Sequence, residues 1–192
     1  TEKLKYIIHV MKGGEKMKTT AGTHQIHPLQ PVWAPDSRIL ILGSFPSVKS
    51  RESGFYYGHP QNRFWTVISS VLGMPKPENV EEKVSLLKKG KIALWDVIRE
   101  CEIRGSSDLS IKNAAANDID ALLKKTDVKA VFTNGKKAFA LYNKLVLPDT
   151  GIRAVCLPST SPAYAVKSAD KLIEEWKELI LPYLSAAEGA DL

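Results

Sequence analysis

The sequence predicts a three-layer α/β domain built on a central four-stranded parallel sheet, and three observations carry that reading. Four short apolar runs recur along the chain, amphipathic helical patterns fall between them, and a length of 192 residues suits one core. The first run, Arg38-Ile-Leu-Ile-Leu42, stops at Gly43-Ser44 and has the unbroken apolar character of a strand covered on both faces. Lys91 to Trp95, Val128 to Thr133 and Ile152 to Leu157 repeat the pattern. Asn62 to Leu72 places Phe64, Val67, Ile68 and Val71 on one helical face, and Val80 to Lys89, Ala116 to Lys125 and Gly135 to Leu145 also read as helices. Ala169 to Leu184 closes the domain, with Leu172, Trp176, Leu179 and Ile180 spaced for burial. Such alternation implies right-handed crossovers, and ligands in sheets of this kind sit beyond the carboxyl ends of the strands. Chemistry is therefore expected from Gly43, Asp96, Asn134 and Pro158 onward.

Residues 1–25 are expected to be a poorly ordered leader, 26–187 one domain and 188–192 a tail. Composition excludes several classes. Apolar types make up 44% and charged types 25%, as in water-soluble globular proteins. Runs such as Ile39-Leu40-Ile41-Leu42 fall far short of the roughly 18 apolar residues that span a membrane, so no membrane association is expected. Cys101 and Cys156 lie far apart, which suits two reduced thiols in a cytoplasmic protein. His24 and His27 have a spacing that zinc could use, but no carboxylate partner accompanies them and Pro28 indicates a loop, so no metal site is expected. The net charge is +6, with the excess held in the central region, where it forms either a solvated lysine surface or a polyanion-binding face.

After the first strand comes Gly43-Ser44-Phe45-Pro46-Ser47, then Gly54-Phe55-Tyr56-Tyr57-Gly58-His59-Pro60-Gln61-Asn62-Arg63-Phe64-Trp65. Neither the Gly-x-Gly-x-x-Gly of a dinucleotide site nor the Gly-Lys-Ser/Thr of a P-loop is present, so no cofactor is expected. Aromatic faces beside polar edges, just before a helix, are what a flat heterocycle such as a nucleobase needs. Each residue also has a plainer role open to it. Asn62 could cap the helix, Tyr56 and Tyr57 could be packing aromatics, and Ser159, Thr160 and Ser161 between Pro158 and Pro162 could form a rigid turn.

Together with Leu157-Pro-Ser-Thr-Ser-Pro-Ala163, these motifs resemble the uracil-DNA glycosylase superfamily, and within it the deoxyinosine, or hypoxanthine-DNA, glycosylases. The resemblance implies a DNA groove and a pocket for an everted base. It assigns Asn62 to catalysis, orienting water through its amide oxygen. It places Phe45, Tyr57, Asp96 and Asn134 around the base, with Tyr57 as the stacking ring and Asp96 reading base edges. Ser44, Pro46, Ser47, Lys49, His59, Arg63, Ser159, Thr160 and Ser161 fall to DNA contacts, joined by Lys136, Lys137 and Lys167 as candidate phosphate partners. The resemblance also implies two departures: many superfamily members carry Asp or Asn where this chain has Phe45, and the second motif of relatives opens with His or Asn where this chain has Leu157.

The expectation is a monomeric glycosylase that removes a deaminated base from double-stranded DNA, leaving an abasic site. The competing readings are a mismatch-specific uracil or thymine glycosylase and a non-catalytic DNA- or nucleotide-binding module.

Overall fold

The computed structural model describes residues 22–185. In chain order the elements are β1 (Thr23–Ile26), β2 (Ile39–Gly43), α1 (Val48–Ser53), α2 (Phe64–Val71), α3 (Val80–Lys89), β3 (Ile92–Asp96) and β4 (Ile98–Ile103). A single 3-10 turn (Asp108–Ser110) leads to β5 (Lys112–Ala116), α4 (Ile119–Leu123), β6 (Ala130–Asn134), α5 (Lys136–Leu145), α6 (Leu147–Thr150), β7 (Ala154–Leu157) and α7 (Ala169–Ser185).

The central sheet is parallel, in the order β3-β2-β6-β7. Every residue of β2 is buried, and its side chains alternate between two cores. Ile39 and Ile41 join Phe64, Phe132 and Trp176 under α2 and α7, whereas Leu40 and Leu42 join Ile119, Leu141 and Tyr142 under α4 and α5. That period of two is what makes the domain three-layered. The fully buried Trp176 also donates its indole N–H to the Pro158 carbonyl at 3.0 Å, so α7 fixes the loop that follows β7.

The four strands of this sheet lie where the apolar runs predict them. The antiparallel sheet β1-β4-β5 does not appear in the sequence reading. It corrects two expectations. Residues 22–25 belong to the ordered domain, because β1 pairs with β4 from Thr23↔Ile103 to Ile26↔Glu100. Main-chain hydrogen bonds hold that strand, and its side chains are mostly exposed, so hydropathy gives no sign of it. The rest of the expected leader, and the tail, lie outside the described residues. The helix expected over Ala116 to Lys125 shrinks to α4, since Ala116 still pairs with Ile98 in the β4–β5 ladder. Asn117 then donates from Nδ2 to the carbonyls of Asp96 (2.9 Å) and Ile98 (3.0 Å), and the Asp118 carboxylate caps α4. Tertiary pairing overrides the helical propensity of the Ala114-Ala115-Ala116 run.

Candidate active site

The loops after β2, β3, β6 and β7 converge on a cavity of about 320 Å³, within the size range of small-ligand sites. Its aromatic wall is Tyr57, a non-glycine residue in the left-handed region at φ 54°. Backbone of this kind costs energy and persists only where its surroundings enforce it. Here the Tyr57 ring stacks on Phe64 at 4.0 Å and 15°, and Phe64 is braced edge-on by Trp65 and Trp176. Tyr57 therefore lines the cavity with a plate backed by the core. Its hydroxyl is buried beside Asn134 without completing a hydrogen bond of ordinary geometry. The Tyr56 hydroxyl donates to the Gln30 carbonyl at 2.9 Å. Burial, reinforced by the Asp96 charge, pushes both phenols far above their ordinary range, so both stay neutral at physiological pH.

Asn62 stands on the cavity wall at the foot of α2, and its orientation is set by partners whose roles are fixed. Oδ1 accepts the Phe64 amide N–H at 3.0 Å, so it does help to cap α2, and it also accepts the Thr160 hydroxyl at 3.0 Å. The Thr160 proton has to point that way. Its N–H donates to Asn134 Oδ1 (3.0 Å) while its oxygen accepts from Asn134 Nδ2 (2.9 Å). Both lone pairs of the Asn62 oxygen are thus spent, and the expectation that this oxygen steers water does not fit the geometry. What Asn62 has left to offer is its NH2 group, a donor. Thr160 and Asn134, expected to touch DNA and base, hold Asn62 in place, and Thr160 is fully buried.

The floor is Asp96, opposite Gly43 in the parallel register. Its Oδ2 meets His27 Nε2 at 2.8 Å, and the two side chains are only 5% and 2% exposed. Asp108, on the 3-10 turn, accepts the Ser44 hydroxyl at 2.8 Å and lines the same cavity. Burial pushes the Asp108 carboxyl above the usual carboxylate range; Ser44 and Lys137 oppose that rise and the Asp96 charge adds to it. His27 and Asp108 are the residues that the sequence reading missed as parts of the site. A histidine just past an exposed strand, and an aspartate within Gly105-Ser-Ser-Asp-Leu-Ser110, carry no spacing signal.

Phe45, Pro46, Ser47, His59, Ser159 and Ser161 complete the walls and rim. Ser47 caps α1 and Ser159 Oγ accepts the Ser161 N–H, so these hydroxyls are already oriented. Lys49 lies outside the cavity lining, 59% exposed and paired with Glu52 at 2.9 Å. Lys167 is engaged by Glu175.

Arg63, assigned to DNA by the resemblance, is engaged by the protein's own backbone. Its guanidinium donates to the carbonyls of Ser161 (3.1 Å), Tyr164 (2.6 Å) and Lys167, clamping the loop after β7. Arg63→Met should lower stability by about 2 kcal/mol or more, since hydrogen bonds to a charged group are worth roughly 1.5–3 kcal/mol each. The salt dependence of duplex binding, measured by titration, should be unchanged, whereas loss of a phosphate contact would cut its slope by about one unit.

A parallel α/β sheet whose strand ends hold an aryl plate, a carboxylate and an oriented carboxamide defines a protein that takes in a flat heterocycle. The model of the uracil DNA glycosylase superfamily matches residues 31–185, and the chain belongs to that superfamily. It is similar to the hypoxanthine DNA glycosylase of Methanosarcina barkeri, at 33% identity over 70% of this chain and 92% of that protein. A hypoxanthine DNA glycosylase of Methanosarcina acetivorans is 35% identical over 67% of this chain and 81% of that protein. The solution NMR structure of a Methanosarcina acetivorans protein assigned to uracil DNA glycosylase has a TM-score of 0.67 and 30% identity, covering 81% of this chain and 99% of that one.

Proposed function

We propose that this protein is a monofunctional DNA glycosylase that removes hypoxanthine from deoxyinosine in double-stranded DNA, acting as a monomer in the cytoplasm. The observation that carries the reading is the placement of Tyr57, Asp96 and Asn62 around one cavity of about 320 Å³. The relatives named as hypoxanthine DNA glycosylases support the substrate, and the free thiols Cys101 and Cys156 suit a reducing compartment.

Flipping a nucleotide costs a few kcal/mol, least for a damaged or mismatched base, and stacking on Tyr57 returns roughly 1–3 kcal/mol of that. The bond from C1′ to the base nitrogen then lengthens, with positive charge growing on the sugar and negative charge on the base. DNA phosphates stabilise the sugar cation. The Asn62 N–H donors hold the water oxygen, which bonds to C1′ once the base has largely left, and a proton ends on the departing base. An amide is a poor base at neutral pH, so positioning supplies the catalysis.

A single-turnover assay on duplexes bearing inosine, uracil, xanthine or no lesion tests the reading. Abasic product is expected from inosine. Product from uracil alone would make the protein a mismatch glycosylase, and no product from any duplex would make it a binding module.

A further inference from the structure

His27 lies outside the cavity lining, yet it is the partner of the carboxylate that forms the floor. Its ring is enclosed edge-on by Phe45 at 5.7 Å and tilted against Tyr56 at 6.2 Å. The Leu29 amide donates to Nδ1 at 3.2 Å, and an amide N–H can only donate, so Nδ1 carries no proton. The proton of the neutral ring sits on Nε2 and points at Asp96 Oδ2.

The geometry points to His27 as a specificity-setting positioning residue: it occupies Asp96 Oδ2 with a fixed donor, so that Asp96 meets the flipped base as an acceptor through Oδ1. This rests on the hypoxanthine reading above and deepens it. Hypoxanthine presents an N1–H to such an acceptor; adenine and unsubstituted purine present a bare N1, and N1-methylhypoxanthine presents a methyl group. At N1 the deaminated purine then carries one hydrogen that its parent lacks, in a cavity where an unmatched pair of acceptors is costly; unsubstituted purine, without the 6-amino donor of adenine, isolates that contact. Charged and titratable groups bear on Asp96 from each side: His27 after β1, Tyr56 and Tyr57 from the loop before α2, and Asp108 from the 3-10 turn.

The test uses the full chain in single turnover on duplexes containing inosine, N1-methylinosine, deoxyadenosine or the deoxynucleoside of unsubstituted purine. Wild type should cleave inosine only. His27→Leu should lose on the order of tenfold or more on inosine and discriminate less against unsubstituted purine, because Asp96 Oδ2 loses the donor that fixes the carboxylate's orientation. His27→Gln, whose amide can still donate, should restore the rate on inosine and the selectivity. In the wild-type protein, nitrogen-15 NMR of the neutral imidazole should show the proton on Nε2 and Nδ1 bare. Unchanged selectivity in His27→Leu, or a neutral ring with its proton on Nδ1, would overturn the inference. If wild type leaves inosine intact, the hypoxanthine reading itself falls.

Discussion

Asn62→Ala should lower the single-turnover excision rate on inosine by on the order of 10²–10³-fold while leaving duplex affinity nearly unchanged, as expected for removal of a positioned donor that acts only as the bond breaks. Two effects compete in that variant. Losing the Oδ1 bond to the Phe64 N–H at 3.0 Å removes part of a helix cap, worth about 0.5–2 kcal/mol. In a domain of this size that lowers Tm by several degrees, which leaves the protein folded at ordinary assay temperature. The catalytic loss corresponds to roughly 2.7–4 kcal/mol of barrier, so it should dominate. Measuring rate, affinity and Tm on one preparation separates the two roles; equal losses in rate and affinity would reduce Asn62 to a cap. Thr160→Val should reproduce part of the rate loss without touching the cavity, because the Thr160 hydroxyl is what Asn134 aims at Asn62 Oδ1.

The parts of this architecture that were legible from residues alone are those whose physics is local. β2, β3, β6 and β7 are short apolar runs because they are buried on both faces, and the loop residues at their carboxyl ends follow from that placement. β1 and β5 were not legible: one is mostly exposed and the other pairs only irregularly with β4, so main-chain hydrogen bonds hold them and side-chain pattern does not. The same division runs through the site. Tyr57 and Asn62 stand inside one continuous motif, whereas His27 lies 69 residues from Asp96, and Asn134 lies 26 from Thr160. Arg63 shows the converse. It sits inside the motif, and its charge invites a phosphate role, but the carbonyls that claim it lie about a hundred residues on and carry no sequence signature.

Gly43→Ala should be among the most damaging single-methyl additions in the chain. Gly43 faces Asp96 across the β2–β3 register, and a Cβ there would fall 2.1 Å from Asp96 Oδ1 and 3.3 Å from the Tyr57 hydroxyl. A surface carboxylate would swing aside at little cost. This one cannot, because His27 holds Oδ2 and the side chain is only 5% exposed. Either the strands part or the His27–Asp96 hydrogen bond breaks, and disrupting a buried pair of this kind costs about 3–5 kcal/mol. Excision of hypoxanthine should fall at least a hundredfold, since displacement of an aligned group by about 1 Å is enough for that. A double-mutant cycle measured by denaturant unfolding assigns the cause. Asp96→Ala removes the atom that the new methyl would strike, so adding Gly43→Ala to that background should cost little, giving a coupling close to the full cost of Gly43→Ala alone, about 3–5 kcal/mol. Simple additivity would place the damage in the strand backbone and free Gly43 from any part in shaping the base pocket.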